Sequence, residues 1–551
     1  MRGGFIACLS ASRQPVERVA ERLRWHRGRA ESDARGDLQV ALLFDLRDGP
    51  WLESVGRTTR LVHGTAAGAA GDLERVASRF AAIEWDGRRL RAIRDPLGQA
   101  PLFYRALPGA LWLATEVEPL ASLGETAPDL AALAARAAFA PIPGRTGWTG
   151  IQRVLPGTAV VLDAAESATP ATVPFWTPER QLGGYRGSRE EARAELRERL
   201  AAAVDRCLDR STGLLLSGGL DSGSVALTAP ATKRGSLHLV HVRFPGLPSS
   251  HEDAFATQVA RAVGAALHVV DGDVSPWSPD ADLDRLGIPY DGFPYGLDEP
   301  ALAHLAAHGV GTALDGHDAD GVLGMPGGEW GALLAHGELG ALLKAARSVG
   351  LRGAAAGLAG ALVPPVLRPK PFRGPTYLEE VAAYLREPLR SRVLRDDVER
   401  WRRPGARWRE LQLRPVHPRT AVSMEQRELE AARHGIDLRH PFADRPLVDF
   451  LLSLPCAVKV EPGRPKALLR DALTDVLPAS LRLRGKGDYR EVLRRRVDPA
   501  RCIEGIRTSG IHLPGIDHDR LFRAADRDPG ALPLLFLVTL ARAHAFARRA
   551  P

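Results

Sequence analysis

The segment Leu214-Leu215-Leu216-Ser217-Gly218-Gly219-Leu220-Asp221-Ser222 constrains this chain more than any other. A short apolar run enters a glycine turn that opens directly into a helix-compatible stretch, and that stretch stops before Pro230. Three leucines suit a buried parallel strand, and paired glycines let backbone N–H groups approach an anion at a helix N-terminus. The turn lacks the Gly-Lys-Ser/Thr ending of a Walker loop. An anion is therefore held by the backbone around Leu216, Gly218 and Gly219 and by the hydroxyls of Ser217 and Ser222, which leaves Asp221 to hold a magnesium ion on the phosphates. An ordinary strand–turn–helix connection uses the same residue types. Five fixed residues of S-G-G-x-D-S, however, arise by chance in a chain this long on the order of once in a thousand.

A length of 551 residues with 45% hydrophobic content supports two or three domains, and 25% charged residues place the chain among globular proteins. The net charge of +8 is dispersed, with only six lysines among 74 basic residues. The densest basic runs, Arg494-Arg495-Arg496 and Arg400-Trp401-Arg402-Arg403, are too short to predict a nucleic-acid groove. Cys8, Cys207, Cys456 and Cys502 are widely spaced without a C-x-x-C pair, which argues against a disulfide framework or zinc ribbon and for the reducing cytoplasm. Phe5 to Leu9 is too short for a secretory signal. The Ala/Gly-rich segment Gly353 to Val363 is too short to span a bilayer and reads as a buried helix.

The predicted fold class is α/β with two parts. Up to about Trp176, short apolar runs (Val40 to Phe44, Leu90 to Ile93, Leu111 to Ala114, Ala159 to Leu162) predict a β-rich domain, with helices over Val16 to His26 and Asp72 to Ala81. Glu166 to Pro174 and Gln181 to Ser188 read as linker, dividing the chain into 1–180 and 187–551. Arg189 to Leu208 reads as an amphipathic helix. Strands over Leu237 to Phe244, Leu267 to Val270 and Val310 to Leu314 then alternate with helices over Asp253 to Val263 and Pro300 to His308. Alternation predicts a parallel sheet with ligands at the carboxyl ends of its strands, and the chain from Gly327 onward reads as chiefly helical.

A second polar turn, Asp315-Gly316-His317-Asp318-Ala319-Asp320-Gly321, follows the strand that ends at Leu314. Two such turns on one sheet edge face one ligand. Asp320 is then a second carboxylate for magnesium, Gly316 lines the nucleotide and His317 points into the crevice. Lys466 is a candidate for a phosphate contact, and Glu252-Asp253 for capping the next helix.

Ser217 to Ser222 resembles the pyrophosphate loop of the ATP pyrophosphatases, and nearly the whole chain is similar to asparagine synthetase B. Arg94-Asp95-Pro96-Leu97-Gly98, Pro101-Leu102-Phe103-Tyr104, Gly150-Ile151 and Leu155-Pro156-Gly157 resemble its amino-terminal, Ntn-type αββα glutaminase domain. Gly435 to Asp444 and Arg484-Gly485-Lys486 resemble landmarks of its synthetase domain. The resemblance implies ATP and Mg2+ as cofactors, adenine held near Val242, Lys486 on the phosphate and tetrahedral intermediate, and Glu428 or Glu430 orienting the catalytic histidine.

Two departures narrow the expected activity. Glutamine-dependent members expose a cysteine at position two, where this chain has Arg2, and Cys8 lies within the first apolar run. The nucleophile is then expected to be an amine on the substrate itself. His317 stands where asparagine synthetase carries Glu and β-lactam synthetase carries Tyr, which resembles the lasso-peptide cyclases. A terminal α-amine of pKa about 7.7–8.0 is matched by an imidazole base of pKa near 6.5. Asp318 and Gly223 depart from the family's usual Gly and Ser. The implied substrate is a leaderless precursor peptide, closed to a macrolactam between its N-terminal amine and an Asp or Glu side chain. A leader-binding protein and a leader peptidase are the implied partners. The alternatives are a β-lactam synthetase, an ammonia-dependent asparagine synthetase and an inactive peptide-binding scaffold.

Overall fold

Residues 3–174 interleave apolar runs with turns, and they fold into antiparallel sheets because such runs bury one face of each strand. The computed structural model describes residues 3–549 apart from 11, 13, 24–28, 36, 45–50, 56–57, 65–72, 74–75, 78, 164–168, 248–251, 291–295, 325–328, 363–376, 400–408, 410–411, 414–415, 417 and 484–489. The strands are β1 (Gly3–Leu9), β2 (Arg29–Arg35), β3 (Leu38–Phe44), β4 (Trp51–Val55), β5 (Thr58–Gly64), β6 (Phe80–Trp85), β7 (Arg89–Arg94), β8 (Phe103–Leu107), β9 (Ala110–Ala114), β10 (Ile151–Arg153), β11 (Thr158–Asp163) and β12 (Ala171–Pro174). They pair as β10-β8-β9-β1-β3-β2 and β12-β11-β7-β6-β5-β4. Phe5, Ala7 and Val40 of the first sheet share a core with Leu61, Ile83 and Leu90 of the second, so the sheets stack face to face. On the other face of the first sheet, Ile6, Phe103 and Trp112 pack with the helices Val117–Ala121 and Leu130–Ala137.

Two expectations fail in this half. Phe80 and Ala81 open β6 instead of ending a helix, because Phe80-Ala81-Ala82-Ile83 is buried on both faces and shows no alternation. Asp72 lies outside the described residues. Part of the expected linker, Ala171–Pro174, is an exposed edge strand on β11. The helix near the start spans Val16–Ala20.

The helix Arg189–Cys207 begins at a capping box in which Ser188 Oγ accepts from Glu191 N and the Glu191 carboxylate accepts from Ser188 N. Next comes a parallel sheet of β13 (Thr212–Leu215), β14 (His238–Arg243), β15 (Leu267–Asp271), β16 (Thr312–Leu314) and β17 (Asp437–Arg439), ordered β15-β14-β13-β16-β17. The chain winds outward from β13 first to one side and then to the other, so the crevice beyond the carboxyl ends of β13 and β16 is the topological switch point. β17 breaks the expectation of a helical second half; it has only three residues and so carries no periodic signal. The Ala/Gly-rich segment is helical, in the part of Leu339–Leu362 that follows a break at Gly350, but it is mostly not buried: Ala354 is, whereas Leu362 is 53% exposed. Among the described residues no helix is long and apolar enough to cross a membrane.

Candidate active site at the carboxyl edge of the parallel sheet

The first turn forms as its residues demand. Leu216 N donates to Val240 O, which extends β13 alongside β14 to the rim of the sheet. Gly218 follows with φ +82°, and a Cβ there would stand 2.7 Å from Glu252 O, so only glycine fits. Gly219 is the N-cap of the helix Leu220–Thr228. Ser222 Oγ accepts from Ser217 N and lies 3.1 Å from Ser217 Oγ, which in turn accepts from Gly219 N. Hydroxyls and amides thus ring the start of a nine-residue helix, an anion cradle. His241 braces it from below, spanning Leu216 O at 2.8 Å and Asp253 Oδ1 at 3.0 Å. Asp253 therefore holds His241, while Glu252 is N-cap of the helix Asp253–Val263 without a side-chain capping bond. Val242 lies one residue before the end of β14.

The second turn presses directly against the first. A Cβ on Gly316 would lie 2.5 Å from Ser222 N, so the absence of a side chain lets the two loops touch. Asp318 adopts φ +66° as N-cap of Ala319–Leu323. That conformation explains a glycine preference at this position, and Asp is among the few other residues that tolerate it. Gly223 is also explained: a Cβ there would meet Leu481 Cδ2 at 2.9 Å.

Asp221 and Asp320 converge on a single cation. Lys466 Nζ donates to both Asp221 carboxylate oxygens at 2.5 Å and stands 2.7 Å from Asp320 Oδ1. Lys466 reaches them from an unusual backbone, φ +55°, at the N-cap of Ala467–Ala472. Asp318 and Lys466 are two of the three non-glycine residues with positive φ among those described, and both border this crevice, where such strain concentrates. Two half-exposed carboxylates focused on one point could hold a hard divalent cation.

His317 is half-buried, and its backbone N–H donates to Asp315 Oδ1. Burial pushes its imidazole down to about 3, the Arg427 guanidinium adds to this, and the Asp315 carboxylate opposes it. The ring is therefore neutral at physiological pH, but it is a far weaker base than the imidazole near 6.5 expected from the sequence. Asp315 is the hub beneath it: His440 Nδ1 donates to Oδ1 at 2.8 Å and Arg427 Nη2 to Oδ2 at 2.7 Å. Burial works against ionisation of Asp315, but His440 and Arg427 outweigh it and hold the carboxyl far below its ordinary range.

The expectation that Glu428 or Glu430 orients His317 is not met. Glu428 is bidentate with Arg79 at 2.8 and 3.1 Å, and Glu430 accepts from Gln426 at 2.8 Å, its carboxyl pushed up to about 7 by burial. Among the described residues, the side chains that His317 meets include Ser423 Oγ, at a long 3.5 Å from Nε2, and the His440 ring, with centroids 5.5 Å apart. Asp315, Arg427 and Ser423 have no sequence signal of their own; only the placement of Asp315 at a strand end points here. Lys486 and Arg2 lie outside the described residues. All four cysteine thiols are raised by burial, Cys8, Cys207 and Cys502 to about 12, so none is an activated thiolate.

The amino-terminal half reaches this site through the helix Pro418–Ala432. Arg94 and Arg153 both pair with Glu425 on it, at 2.9 and 2.8 Å, and Arg79 joins Glu428 to Asp437 of β17. Asp95 accepts from the N–H groups of Leu97, Gln99 and Ala100, and Gln99 Nε2 donates to Ala443 O.

Residues 195–504, more than half of the chain, match the asparagine synthase family. A curated relative, the amidase chyE of Penicillium rubens, is 30% identical over 220 residues, 36% of this chain and 32% of that protein; the match spans about a third of the relative. Two solved structures align over 54% of this chain with TM-scores of 0.22. One is an allosteric regulatory enzyme of purine biosynthesis, at 12% identity and 83% of its length. The other is glutamine phosphoribosylpyrophosphate amidotransferase from B. subtilis with ADP and GMP, at 13% identity and 84%. Superposition that slight carries no inference. The S-G-G-x-D-S loop, the paired carboxylates and the family match converge: this chain belongs to the asparagine synthase family.

Proposed function

We propose that this chain is an ATP-dependent, AMP-forming amide ligase that closes a macrolactam in a leaderless precursor peptide. The observation that carries the reading is the convergence of Asp221 and Asp320 on one cationic point beside His317, between two turns in contact.

The residues present fit magnesium: Asp221 and Asp320 would hold it, and its charge would offset that on the β- and γ-phosphates. The Leu216–Ser222 cradle binds phosphate oxygens, Gly316 lets the nucleotide lie close, Val242 sits against adenine, and Lys466 turns from the carboxylates to the phosphates. An Asp or Glu side-chain carboxylate of the peptide attacks the α-phosphorus, giving an acyl-adenylate and releasing pyrophosphate. The peptide's N-terminal amine then attacks the acyl carbon, the C–N bond forms, AMP leaves, and the amine proton passes to neutral His317. Lys486 is the group that stabilises the oxyanion. Asp315, held ionised, fixes the turn that presents His317, and so takes the positioning part expected of Glu428 or Glu430.

The amine comes from the substrate because the cysteines of this chain are buried or half-buried with raised thiols, which disfavours release of ammonia from glutamine. A leader peptidase and a leader-binding protein are the partners this reading implies.

The test separates the two half-reactions. His317→Ala is expected to keep peptide-dependent ATP–pyrophosphate exchange and to slow ring closure about 10²–10⁴-fold. Unchanged ring closure in that variant would refute the role of His317, and exchange driven only by small β-amino acids would favour the lactam-forming alternative.

A further inference from the structure

Four of the 16 histidines in this chain gather at the opposite edge of the parallel sheet, away from the nucleotide crevice. His238 opens β14 and His268 is the second residue of β15, so both lie at the amino ends of their strands. His304 is in the last turn of the helix Glu299–Ala307, and His308 is its C-cap. The i, i+4 spacing sets the last two rings on one helix face.

Their geometry suits a metal better than a chance surface cluster. One ring nitrogen from each of His238, His304 and His308 falls within 4.8 Å of the others. His238 Nε2 and His304 Nε2 are 3.1 Å apart. Two imidazoles on a tetrahedral zinc at about 2.0–2.1 Å have their nitrogens about 3.3–3.4 Å apart, so closure around an ion needs only a few tenths of an ångström. His308 Nδ1 donates to His304 O at 2.8 Å, which fixes the tautomer and leaves Nε2 as the nitrogen able to bind an ion. A ring N–H on a backbone carbonyl is the support that ligating histidines commonly have. His268 stacks on His238 with centroids 4.2 Å apart and planes 9° apart, holding that ring in place.

We propose that His238, His304 and His308 form a binding site for a borderline-soft divalent transition metal of the zinc class, distinct from the magnesium-type carboxylate pair. Three imidazoles with no carboxylate among them select Zn2+ over Mg2+, and the exposed side of His308 leaves the fourth position to water. The ion would fasten the helix Glu299–Ala307 to β14. That helix leads into β16 and the His317 turn, so the site clamps the scaffold of the nucleotide crevice from behind.

The experiment uses full-length, tag-free protein stripped with chelator and titrated with zinc chloride in excess magnesium chloride, which keeps the Asp221–Asp320 pair occupied. One equivalent of zinc per chain is expected, with a rise in melting temperature and, for cobalt(II), the visible bands of a four-coordinate nitrogen site. His308→Ala, at an exposed position, and His304→Gln are each expected to weaken zinc binding at least about 100-fold and to abolish the cobalt bands, while His512→Ala leaves both unchanged. Circular dichroism of the variants reports that the fold is kept. Absence of stoichiometric zinc, or zinc binding that neither His308→Ala nor His304→Gln weakens, would overturn the proposal.

Discussion

Charge is used in opposite ways at the seam between the two halves of the chain and at the carboxyl edge of the parallel sheet. At the seam, ion pairs are dry and closed: the Arg79 and Glu428 side chains are 2% and 1% exposed, and Arg94 and Arg153 enclose Glu425, which is fully buried. At the sheet edge, Asp221 and Asp320 keep 26% and 30% of their side chains exposed around one ammonium. A closed pair fixes geometry, because removing either partner strands a buried charge. An open cluster, whose cation sits on a long lysine stem, is arranged to exchange partners. The amino-terminal sandwich thus braces the helix Pro418–Ala432, whose Arg427 and Ser423 reach Asp315 and His317 of the parallel-sheet half.

Substitutions on each side should separate stability from turnover. Glu425→Gln leaves two guanidiniums facing a neutral amide, and denaturant unfolding should show a loss of about 3–5 kcal/mol, with exchange activity per folded molecule retained. Asp320→Asn should do the reverse, lowering peptide-dependent ATP–pyrophosphate exchange about 10²–10³-fold with little change in melting temperature. Were Asp320→Asn to unfold the chain and Glu425→Gln to leave stability unchanged, the contrast would be inverted.

Glu430, on the same helix Pro418–Ala432, offers a pH-dependent test. Its carboxyl is raised from 4.5 to about 7 by burial, so the folded chain keeps a proton that the unfolded chain releases across that interval. The stabilisation is fully present below about pH 4.5 and is lost as pH rises through about 7, amounting to a loss of up to about 3 kcal/mol. Glu430→Gln should remove that slope in melting curves taken from about pH 5 to pH 8. Gly223→Ser pushes a side chain into Leu481, whose Cδ2 would stand 2.9 Å from the new Cβ, and should cost about 1–3 kcal/mol of stability in denaturant unfolding. Smallest of all, Cys8→Ser should leave amide formation unchanged whether or not glutamine is supplied.

What the sequence makes legible follows from local chemistry. The Leu214–Ser222 segment is readable because apolar run, paired glycines and helix start are contiguous, and the helix Asp253–Val263 because it ends on Gly264 at φ +73°. The Asp315–Gly321 turn is readable from its place after a strand. The hub around Asp315 is not, since Arg427 lies 112 residues and His440 125 residues further on, and no local pattern records that they meet. The same holds for Lys466, 245 residues from Asp221, whose left-handed backbone nothing in its neighbours announces. Glu428 misleads because a helical glutamate near a landmark motif looks alike whether it faces a catalytic histidine or a buried arginine from the other half.

The central claim is that the carboxylate activated at Asp221 and Asp320 is captured by the substrate's own amine. Its most direct measurement is the mass of a candidate leaderless peptide, and the AMP released, after incubation with the full chain, ATP and magnesium in the absence of glutamine and ammonia. The peptide is expected to lose one water for each AMP formed. AMP release with the peptide mass unchanged, or product that appears only when ammonia or glutamine is added, would contradict it.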